Sequence, residues 1–292
     1  MAPVDTHSFT DSGHPVTTHV HLSLYFDFPS STIHSSALLS LSSPHSGPFS
    51  LDTRSLSLLS VLDPQTRSPL PFSLSDPDPI KGQNLVVSLS GHSSVLVVYS
   101  TTPASSALQW LNPPQTFNKA FPFVFTQCQS IHARAVFPCQ DTPAARIRYS
   151  ARINVPRQLS AVMSARHADR RPPVAGEGAG LPCGDALWCA EGRVVEEFVM
   201  EQPIPPYLFA LAVGELGFRD VGPRTRVYSE AAPAVLDAAA AEFAGTEDMI
   251  RQGERFDYEW DRVATKFRPR WHRCLATGKA SSSVAYGRRG QA

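Results

Sequence analysis

Two glutamines that flank a cysteine stand out as residues whose types and spacing could do chemistry. Gln127, Cys128 and Gln129 lie in a run that begins at Phe123 and reaches Ile131. If this run is extended, alternation with period two places both glutamines on one face and Cys128 on the other. Each glutamine amide offers two donors and one acceptor without adding charge. The spacing therefore predicts a pair of neutral hydrogen-bonding groups on one side of a strand.

A turn bracketed by prolines follows the glutamines. Pro138 and Pro143 enclose four residues, and proline cannot donate a backbone hydrogen bond to a strand ladder. Among the enclosed residues, Asp141 can accept hydrogen bonds from nearby backbone N–H groups. We interpret this turn as structural, positioning the strand before it. A purely structural role for the whole stretch stays open, since buried amides and Asx turns are common in β domains.

The ten histidines do not form a metal-binding pattern. None is followed by glutamate and no two lie four residues apart, so the H-E-x-x-H motif of zinc-binding helices does not occur. His14, His19 and His21 flank one strand pattern without a nearby set of carboxylates, and we interpret His132 and His272 as ordinary polar residues. The sequence therefore predicts no catalytic residue and no metal ligand.

Composition argues against several classes of partner and location. Basic and acidic residues number 26 each among 292 residues, so we expect neither nucleic acid nor an anionic membrane as a partner. Five cysteines without a C-x-x-C pair favour free thiols in a reducing compartment. With no secretory leader pattern and no apolar run long enough to span a membrane, a cytoplasmic location is expected. Residues 263–292 differ from the rest, since they hold seven Lys or Arg and no Asp or Glu.

The elements that must position the glutamines are predicted to be mainly β. Strict apolar alternation from Val20 to Phe28 recurs near residues 49–51, 85–89 and 95–99, with Pro-, Ser- and Asp-rich turns between. Short strands joined by turns predict a sandwich or saddle of antiparallel sheets.

Further strands and one helix are predicted beyond the proline-bracketed turn. Residues 146–155 form a strand with an arginine-bearing face that we expect to be solvated, residues 170–184 form a loop, and residues 194–200 and 208–213 are extended. The alanine-rich segment from Pro233 to about Gln252 predicts a helix with Val235, Leu236, Ala239 and Phe243 on one stripe.

The segment from Phe125 to Pro143 closely resembles the corresponding segment of the leukotriene-A(4) hydrolase branch of the zinc aminopeptidases, the gluzincin aminopeptidase family. The wider family shares an arginine followed by Pro-Cys-x-Asp-x-Pro, represented here by Arg134 and residues 138–143. Gln127-Cys-Gln129 and Gln140 are similar to the hydrolase branch. Further similarities lie at Ser106–Leu111, Pro203–Leu208, Gly222–Thr225 and Tyr258–Arg262.

This resemblance implies a domain organisation and an activity. Residues 1–206 would form a saddle-like, antiparallel β-sandwich N-terminal domain, and residues 207–262 the beginning of a thermolysin-like α/β catalytic domain. Residues 263–292 would be a tail foreign to the family, which we expect to be disordered. Intact members use zinc to remove N-terminal residues from peptides, some with epoxide hydrolase activity, and the segment matched by Gln127, Cys128 and Gln129 helps bind the substrate.

The sequence departs from the family pattern after Arg262. Neither H-E-x-x-H nor the family's Gly-x-Met-Glu-Asn motif occurs, so the sequence predicts a truncated metalloaminopeptidase that is inactive alone and holds no cofactor of its own. The alternative is a non-catalytic β module that associates with an intact paralogue. The strand ending at Val213 motivates this alternative, because it would be left as an unpaired sheet edge, and unpaired edges recruit partners.

Overall fold

The computed structural model describes residues 5–11 and 13–263, with side chains as far as Glu254. The expected disorder of residues 263–292 concerns a segment that lies, apart from Val263, outside the described residues.

The strands in chain order are β1 (Thr17–Asp27), β2 (Thr32–Thr53), β3 (Leu56–Leu62), β4 (Phe72–Leu74), β5 (Gln83–Thr101), β6 (Leu108–Leu111), β7 (Phe123–Thr126), β8 (Ile147–Pro156), β9 (Ser160–Met163), β10 (Arg166–Arg171), β11 (Arg193–Ile204), β12 (Leu211–Gly214), β13 (Leu216–Asp220) and β14 (Arg226–Glu230). The helices are α1 (Gly184–Trp188), α2 (Pro233–Glu242) and α3 (Thr246–Val263).

The strands form two facing sheets and a separate hairpin, which confirms the mainly β prediction. The eight-stranded sheet has the order β10-β11-β8-β1-β2-β5-β3, with β4 added beside β5. The four-stranded sheet has the order β6-β7-β12-β9, and β13 pairs with β14. Neighbours are antiparallel apart from β1 and β8, which run parallel because the chain passes through β6 and β7 of the other sheet between them.

The core lies between the two sheets. Alternate residues of β1, namely Val20, Leu22, Leu24 and Phe26, are fully buried, as the strict alternation predicts. They share one cluster with residues of the smaller sheet such as Val124 and with the loop after β7. Because burial of apolar area is the main favourable term in folding, this shared core is what holds β7 and its following loop in place.

The outer face of the eight-stranded sheet is partly covered, so the expectation of a solvated arginine face holds for Arg146 and Arg148 but not for Arg152. Arg148 is exposed, but Asn154 is fully buried and Arg152 pairs with Glu177. The segment 172–192 folds over this face and inserts Trp188, whose carbonyl accepts a 2.7 Å hydrogen bond from Asn154. The loop predicted at residues 170–184 therefore covers part of the outer sheet face and continues into α1.

The predicted helix from Pro233 to Gln252 is present but interrupted. α2 ends at Glu242, and α3 begins at Thr246, whose hydroxyl donates to the carbonyl of Phe243 at 2.7 Å. On α2, Leu236 is buried as the predicted stripe requires. It packs onto β13 so closely that a side chain on Gly217 would meet its Cδ1 at 2.7 Å.

The prediction of an unpaired edge at Val213 is wrong. β12 lies between β7 and β9, with hydrogen-bonded neighbours on both sides. The strand expected at Tyr207 begins only at Leu211, after a 3-10 turn over Pro206–Leu208. β12 thus belongs to the same sheet as β7, and a domain boundary at residue 206 stays a prediction.

Among the described residues, no helix is both long and apolar enough to cross a lipid bilayer.

Candidate functional site

The predicted glutamine pair lies in the loop directly after β7. The strand ends at Thr126, so the extended run to Ile131 is shorter than predicted. Beyond the strand, the Gln127 N–H donates to the carbonyl of Ala107 at 2.8 Å, and the His132 N–H donates to the carbonyl of Cys128 at 2.9 Å. These two bonds close the loop at its beginning and end.

The alternation of the strand nevertheless continues through the loop. Gln127 and Gln129 are exposed, whereas Cys128 between them is 3% exposed and belongs to the core. Neither glutamine amide has a hydrogen-bond partner among the described residues. The structure therefore presents two neutral amides to solvent on either side of a buried anchor.

Cys128 does not offer a reactive thiol. Burial raises the pKa of Cys128 far above its ordinary value, and the nearby Asp141 carboxylate adds to that rise. A thiol in such surroundings stays protonated and is a poor nucleophile. Its side chain holds the loop to the core, so contact with a ligand falls to the two glutamines.

A buried ion cluster holds the far side of the loop. Arg134 is fully buried, and its Nε donates to Asp141 Oδ2 at 2.9 Å while Nη1 donates to the carbonyl of Lys81 at 2.7 Å. Asp52, also fully buried, lies 3.5 Å from Arg134 Nη1 and accepts the Asp141 N–H at 2.9 Å. Burial raises the pKa of Asp141, and the Arg134 guanidinium opposes that rise.

The cluster confirms that the proline-bracketed turn has structural contacts, and it includes a residue that sequence reasoning missed. Arg134 and Asp141 belong to the family motif, but Asp52 lies in β2 next to the apolar Leu51 and carries no signal of its own. Asp52 also binds the N-terminal segment, since its carboxylate accepts from the Ser8 hydroxyl at 2.6 Å and the Phe9 N–H at 2.7 Å. Gln140, the third glutamine of the motif, is buried and bonds the backbone of Pro15 and Thr17.

The histidines singled out in the sequence make ordinary polar contacts. His132 Nδ1 lies 2.8 Å from the Ser106 hydroxyl, and His21 Nδ1 lies 2.8 Å from the Ser150 hydroxyl. His19 Nε2 lies 3.3 Å from the same Ser150 hydroxyl. His14 Nε2 lies 3.7 Å from the Asp11 carboxylate, and its ring is tilted by 53° against that of His45, while its buried Nδ1 has no hydrogen-bond partner among the described residues. His272 lies outside the described residues.

The described residues do not fit a zinc ion. No group of three or more His, Cys, Asp or Glu side chains within residues 5–11 and 13–254 is arranged to hold a metal, and zinc in proteins takes three or four such ligands. The exposed amides of Gln127 and Gln129 can form hydrogen bonds with a ligand.

A comparison with known families decides the family of this chain. Residues 16–173, more than half of the chain, match the model of the peptidase M1 N-terminal domain. The chain belongs to the peptidase M1 family. The match covers β1 to β10 and therefore includes the glutamine pair, the ion cluster and the proline-bracketed turn.

The sequence of this M1 chain is similar to those of two groups of known proteins. It is 36% identical over 244 residues to leukotriene A-4 hydrolase of Xenopus laevis, which covers 81% of this chain and 37% of that protein. It is 41% identical over 163 residues to aminopeptidase B of Rattus norvegicus, covering 55% of this chain and 22% of that protein. The chain thus spans well under half the length of these curated relatives.

Solved structures agree with the M1 assignment. Native yeast LTA4 hydrolase has a TM-score of 0.71 at 28% identity, over 87% of this chain and 37% of that one. An M1 zinc metallopeptidase of Deinococcus radiodurans has a TM-score of 0.52 at 17% identity, over 72% of this chain and 44% of that one. The second likeness shows the fold alone.

Proposed function

We propose that this chain is the substrate-contacting β portion of a leukotriene-A(4) hydrolase-like metalloaminopeptidase, in which Gln127 and Gln129 bind a peptide. In this proposal residues 1–206 are the N-terminal β domain and residues 207–262 the first elements of a catalytic domain. Zinc chemistry belongs to intact members of the family, and the proposal assigns no zinc ligand to the described residues.

The observation that carries the proposal is the pair of exposed, unpartnered amides around a buried anchor. A peptide backbone alternates donors and acceptors, and a glutamine amide can match both. Because the loop is closed by two backbone hydrogen bonds and held by buried Cys128 and Arg134, the amides need little ordering when they bind. Pre-organisation of this kind reduces the entropic cost of association.

The proposal is tested by following the glutamine side chains directly. We expect millimolar amounts of a tripeptide with a free N-terminus to shift the side-chain amide NMR signals of Gln127 and Gln129 in the 292-residue chain. Gln109, exposed on the neighbouring strand β6, is the matched control and should not respond.

Variants separate peptide contact from general surface effects. Gln127→Ala with Gln129→Ala should abolish the peptide-dependent shifts of the surrounding backbone amides, whereas Gln109→Ala should leave them unchanged. Equal responses at Gln109 and at the pair, or no response anywhere, would count against peptide binding by this loop.

A cytoplasmic location is part of the same proposal. The four described cysteines, Cys128, Cys139, Cys183 and Cys189, are all free thiols, which is in keeping with a reducing compartment. Epoxide hydrolysis and association with an intact paralogue stay predictions. The unpaired strand edge that motivated the predicted association with a paralogue is absent, because β12 is paired on both sides.

A further inference from the structure

A cavity on the outer face of the eight-stranded sheet is separate from the glutamine loop. Its volume is about 390 Å³, within the size range of pockets that hold small organic ligands. Strands β1, β2, β5 and β8 contribute its floor, and the turn after β3 and the covering segment 175–181 contribute its walls. No residue of the loop 127–129 lines it.

The floor changes from polar to apolar across the strands. Cross-strand register places Ser36 of β2 beside Ser23 of β1, and Leu38 of β2 beside Leu96 of β5. Two rows of neighbours therefore run over the floor: Ser23, Ser36 and Val98 in one, and His21, Leu38 and Leu96 in the other. A ligand lying along these rows meets the Ser23 and Ser36 hydroxyls and the His21 imidazole at one end and aliphatic side chains at the other.

Polar groups of the cavity lack partners within the protein. The hydroxyls of Ser23 and Ser36 have no hydrogen-bond partner among the described residues, although Ser23 is only 4% exposed. Buried polar side chains are usually hydrogen-bonded, so a hydroxyl that faces a cavity without a partner is a site for a ligand atom.

One positive charge of the cavity is unbalanced. Arg152 and Glu177 pair with each other at 3.2 Å. Arg67, on the turn after β3, has no ion-pair or hydrogen-bond partner for its side chain among the described residues. Since an arginine guanidinium matches a carboxylate with two parallel hydrogen bonds, Arg67 selects for an anion.

We propose that this cavity binds a small amphipathic carboxylate. The carboxylate pairs with Arg67, the apolar part lies over Leu38, Leu96 and Val98, and the hydroxyls of Ser23 and Ser36 bond any polar group along the ligand. This site is independent of peptide contact by Gln127 and Gln129.

The test uses 3-phenylpropionate as the probe and its neutral amide, 3-phenylpropionamide, as the matched control. Binding to the 292-residue chain is followed by backbone amide NMR shifts. We expect saturable shifts at the residues of the cavity with the carboxylate, and an affinity lower by about tenfold or more with the amide, which corresponds to loss of one charge-assisted contact.

Two variants locate the site. Arg67→Asn removes the charge and suits the left-handed backbone at this position, where φ is 60°; it should weaken phenylpropionate binding by about tenfold or more. Ser36→Val replaces the floor hydroxyl with one methyl group and adds a second, and it should also weaken phenylpropionate binding. Arg166→Asn, at an exposed arginine on the edge strand β10, should have no effect.

The proposal is overturned by any of three results. These are no saturable shift at millimolar phenylpropionate, equal affinity for acid and amide, or unchanged binding by the folded Arg67→Asn variant. Unchanged binding of a peptide at Gln127 and Gln129 in the Arg67→Asn variant would show that the two sites are separate.

Discussion

Buried charge is the most consequential feature at the scale of single residues. Arg134, Asp52 and Asp141 are together removed from water, and each has its hydrogen bonds made inside the protein. Breaking a buried ion pair from one side leaves an uncompensated charge, which costs far more than loss of an exposed pair. The same residues lie on the far side of the glutamine loop, and we expect them to help position it.

Replacing Arg134 by methionine tests this role. We expect Arg134→Met to lower the free energy of unfolding by about 3–5 kcal/mol, because two buried carboxylates lose their cation. Denaturant unfolding followed by circular dichroism measures the change. Arg219→Met, which breaks the exposed pair with Asp237, should cost no more than about 1 kcal/mol, and equal losses in the two variants would contradict the argument.

His21 gives a pH dependence whose sign follows from its burial. Burial lowers the pKa of His21 to about 4, with Arg152 and His19 adding to the shift and Glu197 opposing it. Between pH 6.5 and 4 the unfolded chain binds this proton and the folded chain does not, so the free energy of unfolding falls as the pH falls through that window.

We therefore expect His21→Gln to make the stability of the protein less dependent on pH between 6.5 and about 5, above the range where most carboxylates titrate. Thermal unfolding at several pH values provides the measurement. His7→Gln, at an exposed histidine, should keep the slope of the parent protein. A parent-like slope in the His21 variant would show that this group does not contribute.

At the scale of elements, the covering segment 172–192 depends on one carboxylate. Glu177 accepts hydrogen bonds from Arg171, from the Val174 N–H and from the Trp188 indole. Burial opposes its ionisation, but these hydrogen bonds outweigh burial and lower the pKa of Glu177 to about 2. The stabilisation is therefore fully present above the ordinary pKa of 4.5 and is lost as the pH falls through the folded value.

Glu177→Gln should loosen this segment without unfolding the core. Hydrogen exchange of backbone amides in residues 172–192 is expected to accelerate, whereas strands β1 and β2 stay protected, because local opening needs only the contacts of the segment. Glu191→Gln, an exposed glutamate in the same segment, is the matched control. Uniform acceleration over all strands would contradict a local role.

At the scale of the whole molecule, the described part of the M1 chain combines a sheet pair with a hairpin and three α-helices. β1 lies between β2 and β8 in the larger sheet, and the shared core fixes the smaller sheet that carries β7. This arrangement of sheets can hold the loop at residues 127–129 in place and expose it to a ligand. Its described side chains hold no arrangement of donors for a metal ion.

The sequence-based prediction that the chain alone lacks peptidase turnover can be tested directly. With zinc added, the purified 292-residue protein should not hydrolyse an aminoacyl chromogenic substrate above background, since its sequence contains no H-E-x-x-H to hold zinc and supply a base. An active zinc aminopeptidase assayed in parallel is the positive control. Turnover that requires zinc and disappears with a chelator would overturn this expectation.

Sequence periodicity by itself predicted β1, β8, β11 and parts of β2 and β5, the opposite facing of Cys128 and the two glutamines, and a helix that begins at Pro233. It did not predict β3, β4 or β10. The predicted features follow from local rules, because alternation and helix propensity are written in neighbouring residues. Only the tertiary structure decided that Asp52 joins Arg134, that β12 is paired on both sides, and that segment 172–192 covers the outer face. Such contacts join residues far apart in the chain, and they depend on register and on packing between sheets, which no local pattern specifies.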